Sequence, residues 1–307
     1  MRFQPLSQLI TLLVVLLLPS WGETAGKDVS LSYNGIELNA HFLKSPETAH
    51  KDVAFLMVHG TLAHNRMEMI ASTQSLLEEA GWNSLAINLS LGISNRHGSY
   101  KCEHPHRHTH EEAVGEISAW VQWLKHQGIR KIVLLGHSRG GSQVAWYLTE
   151  QVDPVIRGAV LVAPSTWSMK KAMLSYKERF NGDLMTWLGK ALLFSKQSVS
   201  RDALIQPPGF IYCKDAKVTP RSFVSYYKAD PRKDTPNLLK HIAVPTLIAV
   251  GSEDRVVADL LPTLQSSKLS KNFKLSIIDG AGHFFPDLDG DTLAEEIVNF
   301  VDPLFTQ

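Results

Sequence analysis

The chain has 307 residues, 31 Lys and Arg against 30 Asp and Glu, a formal net charge of +1 and 44% hydrophobic residues. So much apolar content with so little net charge excludes a disordered chain, and the balance of signs gives no general pull toward nucleic acid or anionic membranes. Two cysteines are too few for a disulfide scaffold or a four-cysteine zinc site, which leaves a globular α/β or α+β protein of enzyme size.

Met1-Arg2 precedes the uncharged run Leu9 to Leu18. The run is about half the ~20 apolar residues that a membrane span needs. A basic start, a short apolar core and small residues before a cut are the parts of a signal peptide. Ser20-Trp21-Gly22 and Ala25-Gly26 both offer such residues. Residues 1–26 are therefore expected to be a cleaved signal peptide, with no membrane span left afterwards. No cysteine lies near the cut, which argues against a lipid anchor. The expected location is periplasmic or extracellular.

Residues 29–33 and 36–40 flank Asn34-Gly35 and predict a β-hairpin that opens a sheet. Val53 to Val58 and Leu85-Ala86-Ile87 are continuous apolar runs, the pattern of strands buried on both faces. After the second run, His97, His104, His106, His108 and His110 crowd together with Cys102, Glu103 and Glu111. Alternate histidines on an extended chain share one face and suit a metal. Pro105 and Arg107 work against a compact site, and the spacing matches no standard zinc motif. The preferred reading is a polar surface loop whose histidines bond to backbone or water, with no metal or other cofactor. In an oxidising compartment Cys102 can pair with Cys213, if their α-carbons approach closely enough.

Val114, Ile117, Val121 and Leu124 repeat at helix spacing. Thr109 to Glu112 reads as a capping box in front of them, and Gly128 as the stop. Ile132 to Leu135 is the next strand. Gly136-His137-Ser138-Arg139-Gly140-Gly141 follows at once, and a helical run through Val144, Ala145 and Leu148 comes after it. This is G-x-S-x-G between strand and helix. Side chains at Gly136 and Gly140 are expected to clash in so sharp a turn, which lifts the Ser138 hydroxyl above the sheet.

Ala159 to Val162 is a further strand. Residues 165–240 then break the alternation, with more Lys, Met, Trp and Tyr and with Pro207-Pro208, Pro220, Pro231 and Pro236. Leu184, Trp187, Leu188, Ala191 and Leu192 mark one helix in it. The stretch reads as an insertion between two strands, placed to cap a site at their carboxyl ends. Thr246 to Val250 and, more weakly, Lys274 to Ile278 complete the strands. Asp254 sits in the loop after the first of these, and His283 in the loop after the second. A serine hydroxyl needs a base to become a nucleophile, and Ser138, Asp254 and His283 supply serine, acid and base in that order. Asp279, Glu253 and His137 are the rivals. Asp279 more naturally caps a strand end, Glu253 points away if Asp254 faces His283, and His137 is too close along the turn to act as the base.

Together, His59-Gly60, Gly136-His137-Ser138-Arg139-Gly140, Asp254 and His283 resemble the α/β-hydrolase superfamily over residues 30 to 305. The resemblance implies one mostly parallel sheet with helices on both faces, in a single domain over 27–307 with a helical cap at 165–240. It implies that Ser138 is the nucleophile, His283 the base and Asp254 the acid. The oxyanion hole then falls to the backbone N–H groups of Arg139 and Thr61, with Leu62 as the fallback. Trp167, Trp187, Phe284 and Phe285 fall where acyl or alcohol pockets form in that family, although aromatics at such positions more often pack than recognise. Thr61 stands where lipases carry a longer glycine run, which favours small or medium esters or thioesters. The expectation is an exported serine hydrolase, an esterase by preference, acting on a small-molecule ester. The alternatives are a peptidase or amidase on the same triad, or a non-catalytic exported protein that holds a metal or a partner.

Overall fold

A strand whose side chains are apolar on both faces is stable only with cover on both sides. The computed structural model describes residues 26–46, 50–196 and 203–305, so the signal-peptide reading of the N-terminus lies, up to residue 25, outside the described residues. The hairpin forms as β1, Lys27–Tyr33, and β2, Ile36–Leu43. Tyr33 pairs with Ile36 across the two turn residues. The apolar runs become β3, Val53–Val58, and, after helix α1 (Glu68–Glu79), β4, Asn83–Asn88. Every residue of β3 and β4 is buried.

Helix α2, Glu112–His126, leads to β5, Lys131–His137. Helix α3, Arg139–Glu150, leads to β6, Ile156–Val162. The start of α2 departs from the expected capping box. Glu111 is already helical, so the Thr109 hydroxyl stays without a partner. Only the reciprocal half forms, with the Thr109 N–H donating to Glu112 Oε2 at 3.0 Å. The stop behaves as read. Gly128 has φ +85°, and Ile129 and Gly128 donate to the carbonyls of Leu124 and Lys125, a Schellman end.

Between β6 and the next sheet strand the chain makes an excursion. It comprises α4 (Met169–Phe180), α5 (Leu184–Lys196), the short pair β7 (Gly209–Phe210) and β8 (Cys213–Lys214), α6 (Pro220–Tyr227) and α7 (Thr235–Leu239). Its helices start for local reasons. Ser168 Oγ accepts the Lys171 N–H at the head of α4, and Thr219 Oγ1 accepts the Ser222 N–H at the head of α6, where Pro220 is the first residue. The excursion has its own apolar cluster, with Tyr176, Leu184, Leu188, Phe210 and Phe223 at its centre.

The sheet is completed by β9 (Thr246–Gly251), α8 (Leu260–Ser266), β10 (Phe273–Ile278) and α9 (Leu288–Val301). Its order is β1-β2-β4-β3-β5-β6-β9-β10. From β4 to β10 all pairings are parallel, while β1 and β2 run antiparallel. Helix α1 packs with α9 and α2 with α3, giving helical cover on both faces. Among the described residues no helix is long and apolar enough to cross a membrane.

Cys102 and Cys213 form a disulfide, with their α-carbons 5.3 Å apart. It ties the histidine loop to β8 of the excursion. The His106 N–H also donates to the Lys217 carbonyl, and the Thr219 N–H to the His106 carbonyl. The loop is thus anchored at several points to chain more than a hundred residues away.

Candidate active site

The parallel strands deliver their following loops to one edge of the sheet. Ser138 lies between β5 and α3, Asp254 just beyond β9 and His283 just beyond β10. Ser138 has φ 55° and ψ −121°, a strained conformation for a residue with a Cβ. Neighbouring backbone holds it there. The Ser138 N–H donates to the Val162 carbonyl, and its own carbonyl accepts from Ser142 and Ser165. The flanking glycines are required by contact. A Cβ at Gly136 would stand 2.5 Å from the Gly140 oxygen, and one at Gly140 would stand 2.4 Å from the His59 oxygen.

Ser138, Asp254 and His283 are all buried. His283 Nδ1 lies 2.7 Å from Asp254 Oδ2, and His283 Nε2 lies 3.0 Å from Ser138 Oγ. A carboxylate only accepts, so Nδ1 carries the proton, and the bare Nε2 accepts from the serine hydroxyl. Burial pushes the Asp254 carboxyl up, but the hydrogen bonds from His283 and from the Val257 and Val256 N–H groups outweigh it and hold its pKa below the usual value.

The rivals take other roles. Asp279 Oδ1 accepts from Ser252 Oγ at 3.1 Å. Glu253 is exposed. His137 Nε2 donates to the His283 carbonyl at 2.9 Å, and burial drives its pKa down to about 3. His137 is therefore a neutral strut that positions the loop carrying His283.

Arg139 supplies the first N–H of α3, one of the helix-terminal donors with no intrahelical acceptor. Thr61 lies opposite, and its Oγ1 accepts from Arg139 Nε at 2.9 Å. His59 supports this loop. Its Nδ1 donates to the Gly60 carbonyl, and its Nε2 accepts from the Leu89 N–H and from buried Arg96. Burial and the Arg96 charge bring the His59 pKa down to about 3, so this support stays neutral. Thr61, Ser138 and Arg139 line one cavity of about 150 Å³. The excursion covers it, contributing Trp167, Tyr176 and Lys233 to its walls.

The model of the alpha/beta hydrolase family matches residues 55–296. The chain belongs to the alpha/beta hydrolase family. It is 24% identical over 209 residues to a bifunctional esterase/perhydrolase DCH of Acinetobacter calcoaceticus, covering 63% of this chain and 74% of that one. Over 212 residues it is 24% identical to a non-heme haloperoxidase of Rhodococcus erythropolis, covering 64% and 76%. Among solved structures it is similar to Est1E from Butyrivibrio proteoclasticus, with TM-score 0.64, 20% identity, and 91% of this chain and 99% of that one covered.

One expectation about this alpha/beta hydrolase needs correction. The histidine loop is not a surface feature throughout. His97 and His104 are exposed, but His106, His108 and His110 are buried, because the excursion closes over them. His106 Nδ1 lies 3.2 Å from His108 Nε2, His108 Nδ1 lies 2.9 Å from the Tyr226 hydroxyl, and His110 Nδ1 accepts from Arg139 at 3.1 Å. Burial lowers the pKa of all three. Among the described residues no group of three His, Cys, Asp or Glu is arranged to hold a metal.

The aromatic residues divide between packing and the cavity. Of Trp167, Trp187, Phe284 and Phe285 only Trp167 lines the cavity. Trp187 packs against the apolar cluster of the excursion, and Phe285 belongs to the main core. Phe284 is half exposed and sets its ring edge-on to His283. Sequence reasoning missed the Arg139 side chain and Lys233. The signal for Arg139 was its place directly after the serine. Nothing local marked Lys233.

Proposed function

We propose that the protein is a serine hydrolase that cleaves carboxylic esters or thioesters through an acyl-enzyme, with Ser138 as nucleophile, His283 as base and Asp254 as the orienting acid. The observation that carries this reading is the unbroken contact from Asp254 Oδ2 through the imidazole to Ser138 Oγ. Ser138 Oγ attacks the ester carbonyl while its proton passes to His283 Nε2. Asp254 stabilises the imidazolium without taking the proton. The tetrahedral oxyanion is received by the N–H groups of Arg139 and Thr61, each lowering the barrier by about 3–4 kcal/mol. Collapse expels the alcohol, which takes the proton from Nε2. Water then attacks the acyl-enzyme, with Nε2 removing its proton. The second intermediate collapses with breaking of the bond to Ser138 Oγ, which takes that proton back from Nε2, and the acid is released and ionises in water.

The helical excursion serves as a cap that excludes bulk water from these steps. A cavity of about 150 Å³ has room for a group about the size of benzene, which supports small to medium esters. Similarity to a bifunctional esterase/perhydrolase supports ester chemistry over amide chemistry. The Cys102–Cys213 disulfide suits an exported protein in the periplasm or outside the cell.

The test is a fluorophosphonate probe together with a chain-length series of aryl esters, each run on wild type and Ser138→Ala. Wild type is expected to be labelled and to turn over the shorter esters, and the variant to do neither. Equal labelling of both proteins removes Ser138 as the nucleophile. Labelling without ester turnover transfers the reading to amide substrates.

A further inference from the structure

The cavity above Ser138 has an unusual charge. Among the described residues Arg139, Lys171, Arg179 and Lys233 line it, and no Asp or Glu does. Lys171 is neutralised by Asp259, 2.6 Å away. The other three meet only neutral partners among the described residues. Arg139 donates to Thr61 Oγ1 and His110 Nδ1 and lies 5.2 Å from the centre of the Tyr226 ring. Lys233, 3% exposed, donates to the carbonyls of Ser225 and Lys228 at 2.5 and 2.6 Å and stands 5.1 Å from the Trp167 ring centre. Arg179, exposed at the rim, donates to the Ile211 carbonyl and covers the Tyr212 ring at 4.4 Å.

A buried ammonium with no carboxylate bonded to it is costly, and a second cation beside it adds repulsion. Burial and then Arg139 drive the Lys233 pKa down to about 7, against opposing pulls from Asp230 and Glu111. An anion placed between the two cations relieves both costs. Two of the three ammonium donors are used by the carbonyls, which leaves one for the cavity.

We infer that the substrate is an ester bearing a free carboxylate, held between Arg139 and Lys233 with Arg179 at the entrance while its scissile carbonyl reaches Ser138. This rests on the hydrolase reading above and names its substrate class. A carboxylate offers one oxygen to each of these two cations.

The experiment compares two matched pairs of esters. In the first, the acyl group carries the charge: nitrophenyl hydrogen glutarate against nitrophenyl valerate. In the second, the alcohol carries it: 4-acetoxybenzoate against 4-acetoxytoluene. In one pair the charged ester should have kcat/KM about tenfold higher or more, with the preference shrinking in high salt. Arg179→Gln and Lys233→Gln should each cut that ratio about fivefold. Because both esters are read on one preparation, the ratio is insensitive to partial misfolding. Glutarate should compete better than inorganic phosphate, and the reverse order overturns the choice of carboxylate. Ser138-dependent turnover with no charged preference in either pair overturns the inference and leaves the hydrolase reading standing. Absence of Ser138-dependent turnover of every ester removes both.

Discussion

Asp254 divides its two carboxylate oxygens between two tasks. Oδ2 accepts from His283 Nδ1 at 2.7 Å, while Oδ1 accepts the N–H groups of Val256 and Val257 at 2.8 and 3.0 Å. The second pair of bonds fixes the carboxylate, and the carboxylate then fixes the imidazole tautomer. Asp254→Asn keeps an oxygen for the two N–H groups but can present an NH₂ to Nδ1. The imidazole then carries its proton on Nε2 and can no longer accept from Ser138. We expect kcat on a neutral aryl ester to fall by about 10⁴ with little change in unfolding midpoint. A loss below tenfold means that the tautomer is not set by this residue.

Gly140 faces the end of β3 at a distance that leaves no room for a methyl group. Its Cβ would stand 2.4 Å from the His59 oxygen and 2.5 Å from the Val58 oxygen, and neither backbone carbonyl can move without shifting the sheet. Gly140→Ala is expected to cost about 3 kcal/mol or more in urea unfolding. Gly189 is the control. It lies on an exposed side of α5, where a Cβ meets nothing within 4 Å, so Gly189→Ala should be neutral or stabilise by up to about 1 kcal/mol. Equal effects at the two sites refute the steric account.

The contrast between these glycines shows what could be read from the chain. Gly136, Ser138 and Gly140 are legible because a strand-to-helix turn imposes local sterics that any occupant must satisfy. The strands were legible to within a few residues because burial on both faces demands unbroken apolar runs, as in β3. Asp254 was legible because it follows such a run, β9, whereas His283 follows the half-exposed β10 and was legible by its place after the acid in the chain. The burial of His106, His108 and His110 was not, since it depends on an excursion whose relevant residues, such as Tyr226, lie 118 positions from His108. Trp187 and Phe285 look like pocket residues by position, but their rings turn into separate cores. Lys233 is polar and flanked by prolines in sequence, and only the folded cap shows that it is buried beside Arg139.

The Cys102–Cys213 bridge spans a sequence separation of 111. In the chain-entropy model, closing so long a loop stabilises the fold by about 4–5 kcal/mol. Removing it with Cys102→Ser plus Cys213→Ser should lower the unfolding free energy by about that amount. Protease sensitivity should rise first in the histidine loop and around β8, which the bridge holds together. A loss under about 1 kcal/mol shows that the backbone bonds of His106 to Lys217 and Thr219 suffice.

Glu116, buried on α2, accepts the Ser90 N–H at 2.8 Å and the Ser90 hydroxyl at 2.5 Å. Burial raises its pKa from 4.5 to about 7, against the pull of the Ser90 bonds and Arg96 and with a further push from Glu112. The folded state therefore holds this proton more tightly than the unfolded state. Its contribution is fully present below about pH 4.5 and is lost as the pH rises to about 7, by an amount on the order of 3 kcal/mol. Glutamine keeps an oxygen for the Ser90 N–H and never ionises. Glu116→Gln should thus match wild type in urea unfolding near pH 4.5 and exceed it by about 1–3 kcal/mol at pH 8. Taking the difference between variant and wild type at each pH cancels every other titrating group. A gap that stays constant between the two pH values shows that Glu116 ionises at its ordinary pKa.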